Sequence, residues 1–340
     1  MAYLHGIQTK TKARDSVIQL NSSTVIGIIG ISDIDIPAPI LLESADDERL
    51  GNGSIKDAVE QIETQAKARM VVISFSNNFA ARLQKLEEAE AQTGLKLNLL
   101  VQPEVENIVN AKLLEAMALK LGAVAIVESS GTNLSTHKAF AAQLTNSYVI
   151  AGGVTVGESD YGGSATAAGV IARTDKERGF HVSPSNKLVM NASGSKDNIS
   201  FITGQDCLAN QLNEQNLACF INRDGKCFLW GSRLASGTHI QKHRAEVVIK
   251  ATIEEQTIDM VDKNINSGSV KCLVIKIQNF LDQLASQRII AGGEVHLSEA
   301  QSELAGHNKL AIDYTLGFFD SAEQITYSVS ITNDYNKKIA

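Results

Sequence analysis

The sequence predicts an α/β chain with a second, α+β half: a mostly parallel α/β N-terminal domain, then an α+β C-terminal domain, with extended N- and C-terminal arms. Three observations predict it. Between about residues 21 and 180, short apolar runs alternate with stretches of helical periodicity, as in a parallel sheet covered by helices on both faces. Beyond residue 205, two short apolar runs flank a turn, two helical stretches follow, and strand-like pieces close the chain. Both ends are polar or weakly patterned, unlike the body between them. These patterns place an N-terminal arm at 1–20, the α/β domain at 21–204, the α+β domain at 205–323 and a C-terminal arm at 324–340.

The elements follow in order. Residues 1–20 carry Lys10, Lys12, Arg14 and Asp15, which suit no core, and read as an arm ordered by a partner. Residues 24–31, Thr-Val-Ile-Gly-Ile-Ile-Gly-Ile, are apolar on both faces and read as a buried strand. In residues 54–69, Ile55, Ala58, Val59, Ile62 and Ala66 share one helical face, with Ser54 where an N-cap belongs. Strands are then expected at 70–75, 97–101, 123–127 and 148–150. Helices are expected at 78–92, 105–121, 135–144 and 161–178. In the second half, a short helix ends near residue 212, and strands at 219–221 and 227–230 flank Asn222-Arg223-Asp224-Gly225, a hairpin turn sequence. Helices at 240–265 and 270–287 precede strand-like pieces at 293–297, 309–318 and 324–332.

The last piece alternates cleanly. Ile325, Tyr327, Val329 and Ile331 fall on one face and Thr326, Ser328 and Ser330 on the other. It reads either as an edge strand of its own sheet or as an arm that adds to a neighbour's sheet, where main-chain hydrogen bonds supply affinity.

Composition narrows the function classes. Lys and Arg number 31 against 38 Asp and Glu, a formal net charge of −7, and the densest basic stretches, 10–14 and 242–244, are short. Nucleic-acid binding is therefore not expected. The longest apolar run, 25–31, is strand length and contains two glycines, so no membrane insertion is expected. The N-terminus lacks the basic-then-apolar order of a signal peptide, which predicts assembly in the cytoplasm. Cys207, Cys219, Cys227 and Cys272 form no CxxC pair and read as reduced, mostly buried thiols.

Candidate chemical sites do not accumulate. Gly27 and Gly30 are spaced GxxG inside a strand, not GxGxxG between a strand and a helix. The pairs Gly152-Gly153, Gly162-Gly163 and Gly292-Gly293 lack the phosphate-loop pattern and read as turns. His239 and His243 share a helical face, but Ile240, Gln241 and Lys242 stand where an HExxH site needs its glutamate. No nucleophile elbow surrounds Ser164 or Ser129-Ser130, and no acid–base pair stands out. The expectation is a chain with no catalytic residue, no cofactor and no metal. An α/β enzyme binding a nucleotide at the strand ends is the competing reading, and another self-assembling component is a third.

The order of motifs resembles the contractile tail sheath proteins of myophages and R-type pyocins. His5-Gly6-Ile7 is similar to the His-Gly-Val opening of many sheath subunits, and 24–30 resembles their first strand. Residues 179–186, Gly-Phe-His-Val-Ser-Pro-Ser-Asn, resemble the segment with a Pro-Ser-Asn turn. Asn222-Arg223-Asp224-Gly225 followed by Trp230-Gly231-x-Arg233 is the most specific match. Phe280-Leu281-x-x-Leu284, Ile290, Gly293 and residues 309–314 follow in the family's order. Leu234 stands where the family often has Thr. The resemblance implies a structural subunit that polymerises: homo-hexameric rings stacked helically on an inner tail tube protein, with a baseplate below and a tail terminator above. It also implies that Tyr3, His5, Gly6, Ile7 and Gln8, and Ile325, Tyr327, Val329 and Ile331, belong to arms joining neighbours by strand addition. The segment carrying Trp230, Gly231 and Arg233 would lie in the domain that receives them.

Overall fold

The structure is a computed structural model that describes residues 24–75, 78–104, 107–299 and 308–332. Its first strand, β1 (Val25–Gly30), is buried at every position. Along it, Ile26 and Ile28 face one apolar layer and Val25 and Ile29 the other, which is why the run has no polar face. After β2 (Ile40–Leu42), α1 (Ser54–Gln65) buries Ile55, Ala58, Val59 and Ile62, the stripe expected from the sequence. The N-cap is Gly53 and not Ser54. The Ser54 hydroxyl instead accepts from the Ile31 N–H at 2.9 Å and binds Glu104.

β3 (Arg69–Ser74), α2 (Phe79–Gln84), α3 (Ala89–Thr93), β4 (Leu99–Val101), α4 (Ile108–Leu121), β5 (Val124–Ser129), α5 (Leu134–Ala141) and β6 (Tyr148–Ala151) continue the alternation. Asparagines begin three of these helices: the side chain of Asn78 accepts from Ala81 N–H, that of Asn107 accepts from Asn110 N–H, and Asn133 forms a capping box with Thr136. The small sheet of β7 (Val154–Val156), β8 (Ser159–Tyr161) and β10 (Gly194–Ser195) flanks α6 (Gly163–Arg178), with β9 (Lys187–Leu188) between. α6 is buried along most of its length by Ala165, Ala167, Ala168 and Val170. Its start requires glycine, because a Cβ on Gly163 would lie 2.2 Å from the Gly152 carbonyl oxygen.

The main sheet does not stop where the α/β half was expected to end. α7 (Leu208–Glu214) leads into β11 (Ala218–Arg223), which pairs parallel with β6, and β12 (Lys226–Trp230) returns antiparallel. The nine-stranded order is β2-β3-β1-β4-β5-β6-β11-β12-β9. Residues 218–230, read from the sequence as the opening of a separate α+β half, are thus part of the first sheet. A parallel strand at the end of a crossover and the first strand of a hairpin have the same local pattern, so sequence alone does not separate them. The turn is as expected: Asp224 and Gly225 have φ of 53° and 70°, and Arg223 pairs with Lys226.

Two layers cover the sheet. α1 and α6 lie with Val72, Ile126 and Phe220 on one side, and α2, α4, α5 and α7 lie with Val71, Val127 and Ile221 on the other. The C-terminal unit is a separate core. α8 (Ile240–Thr257) and α9 (Ser267–Ser286) pack Ile249, Ile253, Ile277, Phe280 and Leu284 against a hairpin of β13 (Gly292–Leu297) and β14 (Ile312–Gly317). α8 joins the bodies, since Ile240 belongs to the first core and Ile249 to the second. The strand expected at 324–332 does not form: no described residue of it pairs with another strand.

Candidate assembly site at the carboxyl end of the chain

The motif Trp230-Gly231-x-Arg233 closes β12 and opens the path to α8. The Trp230 ring meets Phe201 edge-on at 4.8 Å. Gly231 has φ of 116°, and a Cβ there would lie 2.3 Å from Asn213 Oδ1, so no other residue fits. Its N–H donates to Ser185 Oγ at 2.9 Å, and its carbonyl accepts from the fully buried Tyr148 hydroxyl at 2.7 Å. This turn aims Arg233 away from the sheet.

Arg233 takes a partner 90 residues ahead. Its Nε and Nη2 donate to the two carboxylate oxygens of Glu323 at 3.1 and 2.6 Å, and its Nη1 donates to the Gly237 carbonyl at 2.9 Å. His239, the N-cap of α8, lies with Nδ1 3.2 Å from Ser232 Oγ and 3.7 Å from Glu323. One turn on, Gln241 Nε2 donates to Ser321 Oγ at 3.1 Å and Lys242 pairs with Asp320. Residues 320–323 are therefore fastened to Arg233 and to Gln241 and Lys242 in the first turn of α8. The hydrogen bonds from Arg233 hold the Glu323 carboxyl below its ordinary range, and Lys242 does the same for Asp320. His239 is pushed down, first by burial and then by Arg233. His239 and His243 thus have protein surroundings of their own: His243 is pushed down mainly by burial on the α8 flank.

Beyond this fastening the chain leaves the body. Ile325, Tyr327, Val329 and Ile331 are 66, 82, 85 and 95% exposed. Four large apolar side chains at every second position, with no ladder partner among the described residues, are what an unpaired strand presents. Tyr3, His5, Gly6, Ile7 and Gln8 lie outside the described residues.

The hairpin β13–β14 offers the matching feature. One face, with Val295, Ile312, Tyr314 and Leu316, packs on α8 and α9. No further strand covers either outer edge among the described residues. Ser298 N–H donates to the Ala311 carbonyl at 3.1 Å in the strand register. Alternation from that pair turns the backbone groups of Gly293, Val295 and Leu297 on β13, and of Ile312, Tyr314 and Leu316 on β14, outward.

The first described residue is fastened in the same region. Thr24 Oγ1 donates to Asp175 on α6, and Asp175 forms a buried, two-bond pair with Arg244 on α8, one bond at 2.8 Å. Both partners are under one-tenth exposed. Thr24, through Asp175, and residues 320–321 are thus both tied to side chains at the start of α8.

The carboxyl ends of the parallel strands, where such sheets hold ligands, are filled by the chain's own carboxylates. Glu104 accepts from Ile31 N–H at 3.0 Å and from Ser54 at the start of α1. Glu128 accepts from Gly163 N–H at 2.5 Å at the start of α6, and burial pushes its carboxyl up. An anion at either helix start would meet a carboxylate already there.

The sequence pattern that defines the phage tail sheath protein central domain matches residues 52–233, more than half of the chain. The chain belongs to the phage tail sheath family. This sheath subunit is 27% identical to a putative prophage major tail sheath protein of Pseudomonas aeruginosa (strain UCBPP-PA14), covering 98% of both chains. It is 24% identical to the tail sheath protein of Escherichia phage P2, covering 98% of this chain and 96% of that one. Its fold matches the helical sheath of the anti-feeding prophage in its contracted state, with a TM-score of 0.76 and 17% identity over 98% of this chain and all of that one. The contracted sheath of an extracellular contractile injection system, PVC, matches with a TM-score of 0.73 and 16% identity over 99% of this chain and all of that one. The protein is a structural subunit of a contractile tail sheath. The matched region ends at Arg233, the residue that fastens the root of the C-terminal segment.

Proposed function

We propose that the subunit polymerises into homo-hexameric rings around an inner tail tube, and that residues 1–20 and 324–340 are arms that tie each copy to its neighbours by strand addition. The observation that carries this reading is the presence in one chain of an exposed alternating segment and of a two-stranded hairpin with no added strand. Residues 324–331 alternate apolar and polar and stand in no ladder among the described residues, while β13–β14 carries no further strand on either edge among the described residues. Strand addition joins the two, with main-chain bonds for affinity and alternate side chains for register.

Contraction then trades one set of contacts between rigid bodies for another while the arms keep the copies joined. A difference of a few kcal/mol per subunit between two packings, repeated over many copies, is enough to drive the inner tube through a target envelope without a nucleotide. A baseplate at one end and a terminator at the other complete the particle, which is assembled in the host cytoplasm and carried on the virion. On this reading the activity is assembly, and no residue is catalytic.

Deletion of residues 326–340 tests the arm. The truncated subunit is expected to be soluble, with the melting temperature of the full chain, and to form no sheaths by electron microscopy. Contracted tubes built from truncated subunits would end the arm assignment.

A further inference from the structure

The two edges of the acceptor hairpin are not equivalent. On β14, the outward backbone groups of Ile312, Tyr314 and Leu316 bond to no described residue. On β13, the side chain of Gln278 from α9 lies across the edge. Its Nε2 donates to the Gly293 carbonyl at 3.0 Å, and its Oε1 accepts from Val295 N–H at 2.9 Å. These are the two groups that one residue of an added parallel strand takes. The same Nε2 is held by Asp282 Oδ1 at 2.8 Å, one turn along α9.

We propose that Gln278 is a plug on the β13 edge: it satisfies that edge in the free subunit and must swing away before a strand from a second copy adds there. The strand committed to the acceptor is the segment 324–332 of another subunit, because it alternates apolar and polar residues and is exposed along its length. The open β14 edge takes a strand without rearrangement. The β13 edge takes one only in exchange for two side-chain bonds, which raises the concentration needed for assembly. An unpaired edge is a template for uncontrolled pairing, and a glutamine amide covers it reversibly where a proline or a charge would block it for good. The inference rests on the arm reading above.

The test compares full-length wild type with Gln278→Met, which keeps side-chain length and removes both bonds. Losing a competitor of two hydrogen bonds should lower the threshold concentration for sheath assembly, read by sedimentation, about threefold to tenfold. An unchanged or raised threshold in a variant of unchanged melting temperature overturns the proposal. A second measurement needs no variant: in the unassembled wild type, the Val295 amide should exchange its hydrogen more slowly than that of Tyr314, and equal rates overturn the proposal. Truncated subunits that still build sheaths would remove the arm reading itself. An arm requirement that holds while the Gln278→Met threshold stays put removes only the plug.

Discussion

Arg233 joins two parts of the chain that the sequence holds far apart, and its geometry says what it is for. A guanidinium that meets one carboxylate with two nearly parallel bonds fixes direction as well as distance. The pair is more than one-third exposed on each side, so its contribution to folding is about 0–1 kcal/mol. Arg233→Lys keeps the charge and loses the fork. Its melting temperature should stay close to wild type, while the assembly threshold rises about two- to fivefold, the equivalent of roughly 0.5–1 kcal/mol of arm direction per contact. A proportional loss of both would make Arg233 a folding residue. The pH dependence has a definite sign. Because the folded Glu323 carboxyl lies below its ordinary value, the fastening is complete above the unfolded glutamate value of about 4.3 and is lost as pH falls through the lower folded value. Assembly should therefore be insensitive to Glu323 between about pH 6 and 8, and a Glu323→Gln variant should lose any acid-side dependence that this carboxyl supplies.

α8 is the element that ties these contacts together. Its first turns carry Gln241 and Lys242, which hold Ser321 and Asp320, and Arg244, which reaches Thr24 through Asp175, and its later turns enter the C-terminal core. Arg244 and Asp175 are the buried part of this junction. Removing one partner leaves a charge in an apolar setting, so Asp175→Ala should destabilise by about 3–5 kcal/mol in urea unfolding. The double change Asp175→Leu with Arg244→Met should recover most of that loss. If the single change costs no more than a surface substitution, the two bodies are not joined through this pair. The elements were legible in the sequence to different degrees. Strands β1 and β3 to β6 announce themselves as apolar runs because helices cover both their faces, and the Asp224-Gly225 turn is fixed by its own backbone needs. The membership of β11 and β12 in the same sheet was not legible, since nothing local distinguishes a last parallel strand from the opening of a new unit. The fastening was also invisible. Lys242 and Asp320 are 78 residues apart and Arg233 and Glu323 are 90 apart, and pairing at such separations leaves no periodic trace. Gln278 had no signal at all, being one glutamine on a helical flank. The alternation at 324–332 was legible, but only the structure separates an edge strand from one that pairs with no described neighbour.

At the scale of the whole molecule, the proposed arms would let a stable subunit assemble without aggregating first. Burying Ile325, Tyr327, Val329 and Ile331 offers about 1.5–3 kcal/mol each, roughly 6–12 kcal/mol together. Ordering nine residues of backbone costs about 1–2 kcal/mol per residue, so a single arm is close to balance even with its ladder hydrogen bonds. On the proposed reading, binding would become decisive once copies sit beside one another and each makes the exchange. The most direct measurement is an electron cryo-microscopy map of the sheath assembled from this subunit, traced through residues 318–332. The account predicts that the chain leaves its own body at Glu323 and continues as an added strand on the β13–β14 hairpin of a different subunit. A map in which residues 324–332 return to their own hairpin, or touch no hairpin at all, would contradict it.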